Sequence, residues 1–166
     1  MNKIKQTSTD KVRGKLVNYR QGDCLGIDCN NNYYLAVVIS EKFNGYYDFT
    51  LIEFYDANKP KLADFINGKF FGTRFGSWDD FTYALDKQMI KCIDIDSNNQ
   101  IEKIGTVKFI PGLGKAGYSY CDNIKGLLDY YLEEIPIRVE KSKNANQFPD
   151  LAFVSKHLVD MKHIIK

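Results

Sequence analysis

The sequence is poor in the residues that usually carry chemistry. It has two histidines and one tryptophan, its four cysteines form no C-x-x-C pair, and its formal charge of +2 is close to neutral for 166 residues. No apolar run reaches the roughly 18 residues of a membrane-spanning helix, so none is expected. The basic start MNKIKQTSTDKVRGK leads into no apolar segment, which argues against a signal peptide, and the expected location is the cytoplasm. Cys24, Cys29, Cys92 and Cys121 are scattered, and Cys24 with Cys29 makes a C-x4-C without a second ligand pair nearby, so structural thiols are expected rather than a metal site. A nucleophile needs a nearby base, and His157 and His163 both fall in the final segment. Cys121 ahead of a helix, paired with one of them, is the single cysteine-hydrolase arrangement available, and a buried helix-start cysteine is the commoner outcome. No enzyme, cofactor or metal is expected. The balance of 23 basic to 21 acidic residues is too small to imply a nucleic-acid groove by itself and is not the acidity of a phosphate mimic.

What the chain has is aromatic residues, with 11 Tyr and 11 Phe, in an otherwise ordinary composition that is 44% hydrophobic and 27% charged. A chain of this length suits a single domain over residues 1–166, with a core that needs no disulfide or metal. Residues 1–20 are polar and read as a frayed segment or an edge strand. "GDCLGID" (22–28) and "YYLAVVIS" (33–40) form a hairpin pattern, and Asn44-Gly45 predicts a tight turn into "YDFTLIEFYD" (47–56). That strand has apolar residues on both faces, which predicts a central position. A helical turn is expected at Leu62–Ile66, ended by Gly68, and a strand within Lys69–Phe75. "SWDDFTYALD" fits a helix capped by Ser77 or a loop. "QMIKCIDID" (88–96) alternates as a strand and, through "SNNQ", predicts a hairpin with "IEKIGTVKFI" (101–110). Helical spacing of Ile124, Leu127, Leu128, Tyr131 and Leu132 follows, capped by Asp122 or Asn123 and ended by Pro136. Residues 140–150 read as a solvated loop and Leu151 to Ile165 as an amphipathic helix. The expected class is α+β: a predominantly antiparallel curved sheet or small β-barrel followed by C-terminal helices.

Gly112, Gly114 and Gly117 match G-x-G-x-x-G, and Gly112 to Ser119 match a P-loop except that Tyr118 replaces the lysine. Such loops cradle phosphate only between a parallel strand and a helix N-terminus, whereas this one follows a series of hairpins. A flexible strand-to-helix connection is expected, with Lys115 exposed and Tyr118 and Tyr120 either packed beneath it or open to a partner. Asp94 and Asp96 share a strand face on this reading and are solvated, since the calcium-loop pattern is absent. "KFFGTRF" (69–75) has the aromatic and basic mixture of base-stacking strands without the arrangement of an RNA-recognition domain, so a core role is expected. Trp78 fits the core or an interface anchor.

The stretch "GDCLGIDCNNNYYLAVVI" resembles the immunity protein 26 family of bacterial polymorphic-toxin systems, with Gly22, Asp23, Tyr34 and Val38 matching the pattern and Ile27-Asp28 standing where Ile-Pro is usual. The similarity extends through "FTLIEFYD", "LADFINGKFF" and "IEKIGTVKFIP", over about residues 20–112. The resemblance implies a cytoplasmic, non-enzymatic antidote that binds and neutralises a cognate toxin protein, with no membrane or nucleic-acid partner. Exposed members of Tyr46, Tyr47, Trp78, Tyr118 and Tyr120, with Lys115, are the candidate contact residues. The alternatives are a small-ligand or nucleic-acid binding module using the 112–121 loop and, further off, a cysteine-dependent enzyme.

Overall fold

The computed structural model describes residues 17–30, 33–77, 80–120, 123–134, 136–137, 140 and 153–166. Among the described residues eight strands form one mostly antiparallel sheet: β1 (Asp23–Asp28), β2 (Tyr34–Phe43), β3 (Tyr46–Asp56), β4 (Lys69–Ser77), β5 (Asp80–Lys91), β6 (Ile101–Thr106), β7 (Gly114–Tyr120) and β8 (Phe153–Asp160). Short α-helices accompany them, among the described residues α1 (Leu62–Ile66), α2 (Cys92–Asp96) and α3 (Ile124–Asp129), the last continuing as a wider turn over Tyr130–Glu134. The strand order is β6-β1-β2-β3-β4-β5-β7, with β8 on β4. Among the described residues β6 and β7 do not meet, so the sheet does not close into a barrel.

The opening meander follows the sequence reading. β1 pairs with β2 from Cys24↔Val38 to Asp28↔Tyr34, and the two-residue turn at Asn44-Gly45 sets Phe43 opposite Tyr46. β3 is central, as its two-sided apolar pattern predicts. It gives Tyr46–Phe49 to β5 and Ile52 to Phe70 of β4, so the β4–β5 hairpin meets it as a fork. Leu25, Ile27, Leu35, Val37, Ile39, Phe49 and Leu51 fill one face, covered by Tyr19, Ile95 of α2 and Leu127 of α3. Cys24, Ala36, Val38 and Ile52 face the other way, beneath Phe65 of α1 and Val107, Met161 and Ile164. Burial on both faces explains why "LAVVI" is continuously apolar rather than alternating.

The Gly22-Asp23 pair ties this sheet together. Gly22 N–H donates to Ile39 O at 2.8 Å, and its carbonyl accepts from Val107 N–H at 2.9 Å. The buried Asp23 carboxylate accepts from Arg20 N–H at 2.8 Å and Thr106 Oγ1 at 3.0 Å and lies 3.2 Å from Lys103 Nζ. One side chain thereby fastens the β1 entry to β6, which makes the motif a structural one.

Elsewhere the structure corrects the sequence reading. Strand β5 stops at Lys91, and Cys92–Asp96 turns helically, placing Cys92 and Ile95 inward at i, i+3 and Ile93 outward. Residues 101–106 therefore pair with β1 and not with 88–96. Val17–Arg20 are held rather than frayed: Val17 N–H donates to Asp96 O at 2.8 Å, and Tyr19 is buried. "SWDDFTYALD" is neither helix nor loop from Asp80 onward but the start of β5. The glycine-rich connection is largely strand β7, parallel to β5. In place of a final helix there is β8, in register with β4 from Lys69↔Asp160 to Gly76↔Phe153, followed by a 3-10 turn at Met161–His163. Asn123 caps α3, accepting from Gly126 N–H at 3.1 Å, but residues 136–137 and 140 are also helical, so Pro136 does not end helical structure. Of the solvated loop expected at 140–150, Glu140 is helical and the rest lies outside the described residues.

Candidate functional site

The tyrosines at the hairpin turn have opposite fates, as adjacent strand residues must. Tyr47 points inward and is fully buried; its hydroxyl donates to Asp96 Oδ1 at 2.6 Å and accepts from Tyr19 N–H at 2.9 Å. It is therefore a core residue and not an exposed contact. Burial first, and then the bond to Asp96, hold the phenol well above the usual tyrosine range. Lys42 donates to Asn18 and lies 5.4 Å from the centre of the Tyr47 ring. Removing the hydroxyl in Tyr47→Phe leaves Asp96 and Tyr19 N–H without this partner, so the expected loss is about 2 kcal/mol, or a melting temperature lower by about 5 °C. Thermal unfolding followed by circular dichroism checks it.

Tyr46 points the other way and is half-buried. It lines a cleft of about 450 Å³ with Gly45, Lys91, Cys92, Ile93 and Asp96. The Cys92 N–H donates to Gly45 O at 2.8 Å, fixing α2 against the turn. This leaves two large apolar side chains in solvent: Phe43, cross-strand from Tyr46, is 57% exposed, and Ile93 is 71% exposed. The exposed Lys91 lines the cleft beside Ile93. An apolar centre with a charged rim is the composition of a protein-contact surface. Neither Phe43 nor Ile93 stands out in the sequence: Phe43 precedes a turn, and Ile93 lies in a run that alternates like a buried strand.

Tyr118 and Tyr120 lie on β7, with backbone positions opposite Lys87 and Met89 of β5. Tyr46 is opposite Lys91 of the same strand. Tyr46 and Tyr120 are thus on strands flanking β5 near one end, with backbones about 12 Å apart across the sheet. Lys115 lies further along, opposite Leu85. Trp78 and Cys121 are outside the described residues.

The chemistry-bearing alternatives fare differently. Gly114 and Gly117 belong to a hydrogen-bonded strand, so that backbone forms no phosphate cradle. Asp94 and Asp96 sit on a helical turn instead of sharing a strand face, and Asp96 is engaged by Tyr47. Among the described residues no group of His, Cys, Asp and Glu is arranged to hold a metal ion, and no helix is long and apolar enough to cross a membrane. His157 is on β8 opposite Gly72; His163 stacks on Tyr83 at 5.5 Å. Phe70 and Phe71 of "KFFGTRF" are core residues, as read.

Burial, with Asp23 adding to it, pushes the Cys24 thiol up to about 12, and burial pushes Cys29 up to about 11 and raises Cys92. A raised thiol is a poor nucleophile. Since both deep thiols stay neutral in the fold, their effect on stability is nil below the ordinary value of 9.0, and stability falls as pH rises from there towards 11–12. In a Cys121→Ser background at pH 8, a thiol reagent is expected to label Cys92 first, and Cys24 and Cys29 only on unfolding; rapid labelling of all three in the native state would contradict their burial. Compared with protein-family models, curated proteins and solved structures, the chain matches none.

Proposed function

We propose that the protein is a non-enzymatic bacterial immunity protein that binds and neutralises a cognate toxin domain, and that it does so through the surface formed by Phe43, Tyr46 and Ile93. The observation that carries the reading is the exposure of Phe43, cross-strand from Tyr46, and of Ile93 in the lining of the Tyr46 cleft. Apolar side chains held on a hairpin turn and a short helix tied to it are preorganised, so little conformational freedom is lost when a partner covers them. Lys91 at the rim favours an acidic border on the toxin. The resemblance of residues 20–112 to immunity proteins points the same way, as do thiols that are buried and unactivated.

The experiment is co-expression with the toxin domain encoded immediately upstream, scoring survival and co-purification. Survival with a stable complex is the expected result. Turnover of any substrate by the purified protein, lost in Cys121→Ser, would favour an enzyme instead.

A further inference from the structure

Two Asn-Gly pairs occur in the chain, Asn44-Gly45 and Asn67-Gly68, and both asparagines are exposed. Such a pair can modify itself, because glycine has no Cβ to crowd the attack of its amide nitrogen on the asparagine side chain. The structure separates the two. We propose that Asn44 is a site of spontaneous deamidation while Asn67 is protected, and that conversion of Asn44 weakens the toxin-contact surface, a consequence that rests on the function proposed above.

In the reaction the Gly45 nitrogen loses its proton and attacks Asn44 Cγ. An N–Cγ bond forms, the Cγ–Nδ2 bond breaks, and Nδ2 takes up a proton and leaves as ammonia. Water then opens the resulting succinimide. Opening at Cγ gives aspartate, and opening at the main-chain carbonyl gives isoaspartate, whose backbone runs through Cβ and Cγ. The sum is asparagine plus water giving an acid plus ammonia.

Ring closure needs a free glycine nitrogen and a backbone that can rotate at the asparagine. Among the described residues Gly45 N–H donates to no acceptor, and the Asn44 side chain makes no hydrogen bond. No atom lies within 4 Å of a Cβ placed on Gly45, so the ring has room. The pair is the tip of the β2–β3 hairpin, held by the Phe43↔Tyr46 pairing and by Cys92 N–H donating to Gly45 O at 2.8 Å. A tip of this kind opens at little cost compared with the body of a sheet.

Asn67-Gly68 has the same chemistry in the opposite setting. Gly68 N–H, the group that would attack, donates to Phe65 O at 3.3 Å, and Asn67 N–H donates to Ala63 O at 2.9 Å. Gly68 O accepts from N–H of the buried Met161 at 3.0 Å. A Cβ on Gly68 would stand 2.3 Å from Asp64 O, so this backbone is packed where that of Gly45 is open. Freeing the Gly68 nitrogen therefore loosens the joint between α1, β4 and the turn after β8.

Both products at Asn44 alter the surface beside Phe43 and Tyr46. Aspartate adds a negative charge to a surface whose Lys91 favours an acidic border on the toxin. Isoaspartate lengthens the two-residue turn by a backbone carbon, which disturbs the pairing that sets Phe43 opposite Tyr46.

The test ages the full chain at pH 8 and 37 °C and follows each site by peptide mapping with mass spectrometry. Asn44 is expected to deamidate at least about tenfold faster than Asn67 in the folded protein, and the two rates should come within about threefold in concentrated urea. Equal rates in the folded protein, or a faster Asn67, would overturn the site. Protein with Asn44 converted should bind the toxin domain at least about tenfold more weakly than fresh protein. Asn44→Gly accepts the positive φ without strain and has no amide to attack, so its binding should be the same before and after ageing. Unchanged binding of the converted wild-type protein would overturn the effect on the surface. Absence of any complex with fresh protein would overturn the proposed function and this consequence together, whereas the two rates stand or fall without the toxin.

Discussion

Gly22→Ala is expected to destabilise the protein by about 3–5 kcal/mol, more than most single substitutions do. Gly22 has φ +90°, a conformation that costs an L-residue about 1–2 kcal/mol even where space is free. Space is not free: a Cβ at this position would stand 2.2 Å from Val107 O, a backbone atom that cannot swing aside. The peptide groups around Gly22 hold β2 through Ile39 and the start of the 107 segment through Val107, so relieving the clash loosens both. Gly45→Ala separates the contributions. Gly45 also has positive φ, +79°, but no atom lies within 4 Å of the added Cβ, so only the conformational cost remains. Urea unfolding of both variants should give Gly22→Ala a loss larger than that of Gly45→Ala by about 2 kcal/mol or more. Equal losses would mean that the Val107 contact yields freely.

The second large effect concerns binding. Replacing Phe43 and Ile93 together by alanine is expected to weaken the toxin complex about 100-fold or more, mostly by speeding dissociation. Both side chains are exposed, so folding stability should stay within about 0.5 kcal/mol of the wild type. Tyr55→Ala removes another exposed large side chain, 53% accessible, at the other end of β3 from Tyr46, and should leave affinity unchanged within about twofold. Surface plasmon resonance against the immobilised toxin domain reads both the rate and the control. Unaltered dissociation in the double variant would remove this surface from the interface.

The first half of the fold was legible because its signals are local. Asn44-Gly45 dictates a two-residue turn by its positive φ values, and the apolar runs around it can hardly pair otherwise. The misread elements depend on distant partners. Ile101–Thr106 had a near neighbour available in 88–96, yet it pairs with β1, whose Asp23 carboxylate waits for Thr106 and Lys103. Five residues, "CIDID", fit a strand of period two and a helical turn of i, i+3 equally well, and the burial of Ile95 against Tyr19 and Tyr47 selects the turn. Leu158 and Val159 pack on opposite faces of a two-sided sheet, so β8 has no clean alternation and its apolar spacing imitates a helix.

The candidate surface was half legible for a related reason. Strand alternation requires that one of Tyr46 and Tyr47 face inward but does not say which; the Asp96 acceptor on α2 settles it for Tyr47. Ile93 becomes a contact candidate only once α2 replaces the expected strand, and Phe43 only once its side chain is seen to have no cover.

The most direct measurement is a titration of the purified, folded protein into the toxin domain proposed as its partner, following toxin activity and complex formation in the same samples. Loss of activity at equimolar protein, with a 1:1 complex that the Phe43→Ala/Ile93→Ala variant fails to form, is the predicted result. Full toxin activity at excess protein, with no complex detected, would contradict it.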